Sequence, residues 1–542
     1  MSKRIDKSWL VFSSVENLEH NRCVDLFSRP DGTFGFDEFR RDPEEGGRVD
    51  ASSILFRRQL SLAGRGIERS QDIRALADGE AQRKAQVSLQ PGAASFGGFP
   101  SLSSGLALKG DSLSRGTRGP EPSRGMKQSV VHIVGAGVAG LAAARTLAAT
   151  GAREVVMHEA RAQAGGRRRS FYDETLGLNV DTGNFPLLSC WSSALSLVEA
   201  IGARGEWREE TEPGVAFADF SSGERWRLRP NPGRAPWWLI DPERRGPRLR
   251  LSDYWAARRL CSASKTATVA SLGPSSGAAM DRLWRPLCIA ALNCPPETAS
   301  ATLAAAALRE LVRFGGSGMR LLTPVHGFGR AFVEPLARRI QRDGATLRFE
   351  RRLLALDFGA DRLSGLEFEN DRIELRPGDA LILAAPWTVA ASLVPGLEPP
   401  RSLSTALTVH FAVPAPQTAP TVLGALGALF QWLFGYRDRV SVTVTEAGAY
   451  VDAPNHAVAA ECWRGVAALT GLSDALPPWR VIRSRGSLAW TPEEAARRPD
   501  GRTVWRNLFL AGGYVEGPLP DCIENAARSG ESAARACLEN VA

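Results

Sequence analysis

The clearest chemistry in this 542-residue chain lies in glycines, a carboxylate and arginines clustered just after residue 130. Gly135, Gly137 and Gly140 stand in G-x-G-x-x-G spacing within VVHIVGAGVAGLAAARTLAATGAREVVMHEA. The three glycines serve different ends. Gly135 allows a tight turn, Gly137 lets the backbone approach a pyrophosphate, and Gly140 lets a helix pack closely on a strand. Ala136, Val138 and Ala139 complete a turn whose free N–H groups, at the start of a helix, would face phosphate oxygens. Glu159 follows at the distance where a carboxylate accepts hydrogen bonds from ribose hydroxyls, with Ala160 and Arg161 beside it. A second cluster, Arg161 to Ser170 (RAQAGGRRRS), adds the double glycine Gly165-Gly166 and three arginines. Immediately after a nucleotide-binding turn, Arg167 reads as functional, and Arg168 and Arg169 as a solvated turn.

The elements that must position these residues are legible. Val130 to Val134 is a β-branched run that reads as a buried strand, Leu141 to Ala149 as an Ala/Leu-rich helix ending at Gly151, and Glu154 to His158 as a second strand. Strand, helix and strand in that order make a βαβ unit and hence a parallel sheet. That unit alone does not separate NAD from FAD. Gly329 to Arg342 reads as helix, Thr346 to Arg352 and Leu363 to Phe368 as strands, and Asp379 to Ala385 as an apolar strand stopped by Pro386. Asn507 to Ala511 and the helix Asp521 to Val541 repeat the theme. The expected fold is therefore α/β: a Rossmann-type domain built from residues 126–190, 326–390 and 491–542, interleaved with a second lobe from 191–325 and 391–490. Residues 402–436 carry no formal charge and contain three prolines, so they read as strand–loop–strand core of that lobe rather than a spanning helix.

Residues 1–125 show no sustained helical or strand period, and 86–125 are rich in Gly, Ser and Pro. This segment reads as a low-complexity, disordered extension, or as sequence preceding a true start at Met126. The net charge of +8 admits nucleic acid or anionic lipid as partner. Lys and Arg are scattered, however, with no long block of like charge, so nucleic-acid binding is not expected. The cysteines include no C-x-x-C pair, which argues against a metal site and a disulfide framework and for a reducing compartment, the cytoplasm. Neither a secretory signal nor an apolar run long enough to span a bilayer is present in the sequence.

The R-x-x-x-G-G-R-x-x-S pattern from Arg161 to Ser170 resembles that of the FAD-dependent amine oxidase and phytoene desaturase superfamily. Within it, Leu283-Trp284-Arg285-Pro286 through Asn293-Cys294-Pro295-Pro296-Glu297 resembles a signature of the bacterial hydroxysqualene dehydroxylases of squalene and hopanoid synthesis. So do Gln431-Trp432-Leu433-Phe434 and the tail from Arg498-Pro499 through Gly512 to Ile523-Glu524 and Arg528-Ser529-Gly530. The likeness runs over about residues 128–540. It implies FAD held by the residues above together with Leu353, Gly512, Gly513 and Glu524. The implied substrate is a polyprenyl lipid, hydroxysqualene, reduced to squalene with loss of water. Peripheral contact with the inner membrane is expected from so insoluble a substrate.

The resemblance leaves the reductant of the flavin and the catalytic acid unassigned, since no acid in the second lobe stands out. Trp284, Asn293, Trp432 and Phe434 are candidates for the substrate pocket, although tryptophans are as readily core and Asn293, before two prolines, as readily a turn. His132 and His158 read as satisfied structural residues, and Cys294 as a small core residue. Two departures stand out. The family's aspartate after its L-A-G motif, which reaches the flavin ribityl chain, is here Gly513, and the family's D-N-G-Q-H reads Asp181-Thr182-Gly183-Asn184-Phe185. A lost charged hydrogen bond is worth about 1.5–3 kcal/mol. An oxidative desaturase or amine oxidase, and a non-catalytic flavin-binding partner, are the alternative readings.

Overall fold

The computed structural model describes residues 10–17, 22–28, 34–40 and 129–540, apart from 274–276 and 418. The chain forms two units, Met1–Gly125 and Met126–Ala542. In the first, Leu10–Asn17, Arg22–Ser28 and Phe34–Arg40 make an antiparallel three-stranded meander. Strand structure thus occurs where no strand period was expected. Val, Phe and Leu recur there often enough for β pairing, and the connections are short enough to pair neighbours in sequence. The biased stretch 86–125 lies outside the described residues.

The second unit is built on five parallel strands in the order Thr346–Arg348, Glu154–His158, Val130–Val134, Ala380–Leu383 and Leu508–Leu510. Alternate side chains serve opposite faces, as a period of two requires. Ala380 and Ile382 join the core of the helices Val138–Ala148, Glu334–Arg342 and Ile523–Asn540, while Leu381 and Leu383 join a second core. An antiparallel meander, Leu353–Phe358, Leu363–Phe368 and Arg372–Glu374, contributes to that second core. The strand expected from Thr346 to Arg352 stops at Arg348 because Glu350 turns left-handed, at φ 55°, and Leu353 opens a new strand. The helix expected over Gly329 to Arg342 opens with a wide π turn, Gly329–Val333, just before Pro335. A second π turn, Met280–Trp284, likewise precedes Pro286. Proline offers no N–H to close a tighter turn.

The second lobe holds a seven-stranded sheet in the order Arg225–Arg227, Ala216–Asp219, Val422–Leu426, Trp432–Gly435, Val440–Val444, Leu403–Phe411 and Trp479–Leu488. Three of its strands come from the charge-free stretch, and the helix Asn455–Thr470 packs into their core. Asp181 ties the lobe to the first domain. Its buried carboxylate accepts from the Ser170 hydroxyl at 2.5 Å and the Phe328 N–H at 2.9 Å, and lies 3.6 Å from the fully buried Arg439 guanidinium.

His132 and His158 meet across two neighbouring parallel strands, Nδ1 to Nε2 at 3.1 Å, and the His158 Nδ1 has no partner among the described residues, so the pair is only partly satisfied there. Burial is the main cause that lowers them, to about 4 and about 3, and Arg348 and Arg351 act in the same direction. Burial also lowers His410 to about 3, while its Nε2 meets the Asp181 carbonyl at 2.8 Å. These rings stay neutral in the fold and take up protons on unfolding below their ordinary value of about 6.5. Their stabilisation is therefore complete above that value and is lost as pH falls toward 4. We expect the unfolding free energy from urea titrations to drop between pH 7 and 4.5, by on the order of 2 kcal/mol per histidine at pH 5. His158→Phe should flatten the profile; an unchanged slope in that variant would remove the pair as its source.

Candidate functional site

The glycine-rich turn sits at the C-terminal edge of the parallel sheet. Gly135 leaves its strand at φ 105°, its N–H donates to the His158 carbonyl at 2.8 Å, and a Cβ there would lie 2.5 Å from the Ala384 carbonyl oxygen. A Cβ on Gly140 would overlap the Gly135 carbonyl. Gly165 and Gly166 adopt φ 115° and 59°; the Gly165 N–H donates to the Ala136 carbonyl at 2.8 Å, and a Cβ on Gly166 would sit 3.2 Å from the Gly137 Cα. The two glycine motifs therefore pack backbone on backbone. Gly137 caps the helix Val138–Ala148 without any side-chain hydrogen bond, and a Cβ on it would meet only the Gly166 Cα, at 4.0 Å. The helix's first backbone bond runs from the Leu141 N–H to the Gly137 carbonyl at 2.9 Å, so the N–H groups of Val138, Ala139 and Gly140 precede it, as suits a phosphate.

Glu159 is buried at the end of the second strand, its Oε2 accepting from the Ala136 N–H at 2.8 Å and its Oε1 from the Arg161 N–H at 3.0 Å. Each oxygen keeps a lone pair for a ribose hydroxyl. Ala160 and the Arg161 side chain are exposed beside it. The backbone of Arg351 pairs with Glu159 at 2.8 Å, which brings the buried Leu353 to this corner.

Arg167 reaches across to the tail, where its Nη1 bonds Asp521 Oδ2 at 2.6 Å. The tail loop is folded onto itself. Arg498 donates to the carbonyls of Tyr514, Val515 and Gly517, Asn525 donates to the Gly513 carbonyl at 2.9 Å, and the Gly512 N–H donates to Ser529 Oγ at 3.0 Å. Arg168 and Arg169 are not the solvated turn expected of them. Both are half-buried, Arg168 lies 5.7 Å from the Phe185 ring centroid, and burial lowers its guanidinium to about 10. The Glu524 side chain is committed elsewhere: it accepts from the N–H groups of Ser193 and Ala194, capping the helix Ser192–Ala200, and binds Arg528 at 2.7 Å. What position 524 leaves for a cofactor is backbone at a helix start. Sequence reasoning missed Asp521. Its side chain is 3% exposed, its Oδ1 has no hydrogen-bond partner among the described residues, and a Cβ on Gly513 would overlap that oxygen. Burial would raise this carboxyl, but Arg167, Arg168 and Arg498 hold it below the ordinary range. An open glycine cradle, a ribose carboxylate and an orphaned buried acceptor together fit FAD.

Asn184, from the Asp181 motif, bonds Thr443 Oγ1 at 3.0 Å and accepts from the Tyr436 hydroxyl at 3.1 Å, while Phe185 packs edge-on against Phe328. In the second lobe a cavity of about 480 Å³, counting the space open to solvent, is lined by Phe217, Arg285, Pro286, Ile289, Gln431 and Trp432 among others. Of the four substrate candidates, Trp432 lines this cavity. Trp284 is buried in core, Phe434 packs with Leu321, Val422 and Tyr436, and Asn293 takes the left-handed position ending the helix Arg285–Leu292, its amide bonded to the Leu488 carbonyl at 3.1 Å. Arg285, a neighbour of Trp284 in sequence, faces the cavity instead, paired with Glu297 at 2.8 Å.

A family model described as flavin containing amine oxidoreductase matches residues 138–538. Hydroxysqualene dehydroxylase of Sinorhizobium fredii is 39% identical over 409 residues, covering 75% of this chain and 98% of that protein. The hydroxysqualene dehydroxylase of Zymomonas mobilis is 33% identical, over 76% of this chain and 100% of its own length. Among solved structures, cyclohexylamine oxidase from Brevibacterium oxydans superposes with a TM-score of 0.58 at 16% identity, over 76% of this chain and 99% of that one. Putrescine oxidase bound to putrescine gives 0.56 at 18%, over 76% and 99%. At such identity these structures speak for the fold alone.

The glycine geometry separates folding from cofactor binding. Gly137→Ala should leave the melting temperature of the flavin-free protein unchanged, because its Cβ meets nothing closer than 4.0 Å, yet lower flavin content severalfold or more. Gly140→Ala should lower the melting temperature itself. Flavin absorbance per protein and thermal melts check both; equal melting losses in the two variants would contradict the open cradle.

Proposed function

Because the chain belongs to the hydroxysqualene dehydroxylases, within the flavin-containing amine oxidoreductases, we propose that it is an FAD-dependent enzyme that reduces hydroxysqualene to squalene. The observation that carries this reading is identity of 39% across nearly the full length of a dehydroxylase, with both glycine motifs in place. In the reaction the allylic C–O bond breaks, the hydroxyl leaves with a proton as water, and a hydride takes its place on carbon. Reduced flavin, when bound, supplies that hydride. The chain's own contribution is to hold the substrate, exclude water around a developing allylic cation and keep the reacting carbon in line. The apolar wall of Phe217, Ile289 and Trp432 suits a polyprenyl chain, and Gln431, fixed by Thr445 at 2.7 and 2.8 Å, pins the strand that carries Trp432.

The reading extends to a membrane surface. No helix of the described residues is long and apolar enough to cross a bilayer. Trp237, Ile240, Leu251, Trp255, Val312 and Phe314 nevertheless stand exposed. Their segments adjoin, since Trp238 packs edge-on against Tyr254 at 5.4 Å and the Gly316 N–H donates to the Asn231 carbonyl at 3.1 Å. Between Asn231 and Lys265 eight basic residues outnumber three acidic ones. Aromatic side chains among cations suit the headgroup region of an anionic bilayer, the phase that would hold the substrate.

Two outcomes are expected. The purified full chain should show a flavin spectrum and, under anaerobic conditions with a chemical reductant, convert hydroxysqualene to squalene. Bound flavin without squalene would overturn the substrate assignment. The protein should also sediment with vesicles containing phosphatidylglycerol and much less with phosphatidylcholine alone. Trp237→Ala with Trp255→Ala should weaken that binding about tenfold or more while leaving turnover in detergent intact. Equal binding to both vesicle types would remove the membrane reading.

A further inference from the structure

We infer that Asp521 is a cofactor-binding residue whose Oδ1 accepts a hydrogen bond from a hydroxyl of the FAD ribityl chain, the place left without a carboxylate by Gly513. The inference rests on the FAD reading above. Four observations carry it. Asp521 is almost fully buried, yet its two oxygens differ: Oδ2 is held by Arg167 at 2.6 Å, and Oδ1 has no partner among the described residues. A buried charged oxygen left unpaired is costly, so the arrangement calls for a donor that the described residues do not provide. The position is the right one, because Arg167 follows Gly166, and a Cβ on Gly166 would lie 3.2 Å from Gly137 in the phosphate turn. Finally, Oδ1 occupies the space that a side chain on Gly513 would enter, so a carboxylate at 513 would displace the Asp521 side chain from where it stands.

The donor need carry no charge, since Arg167, Arg168 and Arg498 already act on the carboxylate with positive charge. Hydroxyls of a sugar-alcohol chain are such donors. Glycine at 513 and aspartate at 521 then form one device: the first makes room, and the second fills it with charge. Asn525 and Arg498 hold the backbone between them at the Gly513, Tyr514 and Val515 carbonyls, which fixes the carboxylate in place.

The test is a substitution cycle on the full-length protein, read by titration of FAD into flavin-free samples and by their melting curves. Asp521→Asn should weaken FAD binding about ten- to a hundredfold. Gly513→Asp alone should do at least as much harm, because the new side chain meets Asp521. Gly513→Asp combined with Asp521→Ala should recover affinity to within a few-fold of the wild type. Wild-type affinity in Asp521→Asn, or a double variant no better than Asp521→Ala, overturns the inference. Should Asp521→Asn fold poorly, recovery in the double variant still supports the inference, and its failure still overturns it. If the wild type binds FAD and the cycle behaves as expected but no squalene forms, the substrate reading fails and this one stands. A wild type that binds no FAD sinks both.

Discussion

Backbone resting directly on backbone at one edge of the parallel sheet is the constraint from which the rest of this structure follows. Gly140 lies against the Gly135 carbonyl, and that contact fixes the angle at which the helix Val138–Ala148 leaves the sheet. A Cβ on Gly530 would overlap the Ala139 carbonyl, so the closing helix, Ile523–Asn540, is held against the first one with no side chain between them. The loop that precedes the closing helix is thereby delivered to the same edge, with Gly512, Gly513 and Asp521 on it. Gly166, resting on Gly137, delivers Arg167 from the other side. Segments hundreds of residues apart meet because glycine permits the approach, and one added methyl group at several of these points would push the whole arrangement apart.

The second lobe depends on a different kind of contact. Asp181 and Arg439 are both fully buried, and Arg439 also meets Asp438 at 2.9 Å and lies 4.0 Å from the centroid of the Tyr436 ring. Such a pair adds little net stability, because removing two charges from water offsets most of their attraction. Its effect is on uniqueness. Any other placement of the seven-stranded sheet against the Asp181 loop would leave a buried charge without its counterpart, at a cost of several kcal/mol. Asn184, in the same loop, adds hydrogen bonds to Thr443 and Tyr436, so the register between the lobes is fixed by polar contacts around an apolar interior.

What was legible in the sequence was whatever local pattern decides. The strands Val130–Val134, Glu154–His158 and Leu363–Phe368 begin and end where the local pattern places them, and the glycine motifs mark the turn they form. The charge-free stretch around residue 420 reads as core because nothing in it needs water. The rest is set by contacts distant in sequence. Nothing near Glu350 announces a left-handed residue, and nothing near Glu524 announces that its carboxylate caps a helix more than 300 residues away. Trp284 and Arg285 are neighbours in the chain, but the helical turn sends the tryptophan into core and the arginine toward the cavity. Asp521 carried no signal at all, since its meaning comes from a loop closed by Arg498 and from a glycine eight residues earlier.

Electrostatics explains why a carboxylate is needed at that point whichever residue supplies it. Arg167, Arg168 and Arg498 converge where the two halves of the site meet, and burial lowers both Arg168 and Arg498 to about 10. Three guanidinium groups drawn partly out of water repel one another, and a cofactor's phosphates offset them only while it is bound. A fixed carboxylate among them allows the site to exist before the cofactor arrives. Position 513 could supply that charge from one side of the loop and position 521 from the other, because the loop folds the two onto the same point. Pairing a carboxylate at 521 with glycine at 513 places a negative charge among the arginines and leaves one oxygen without a hydrogen-bond partner among the described residues. Geometry at the site, rather than position in the chain, is what the chemistry of cofactor binding requires.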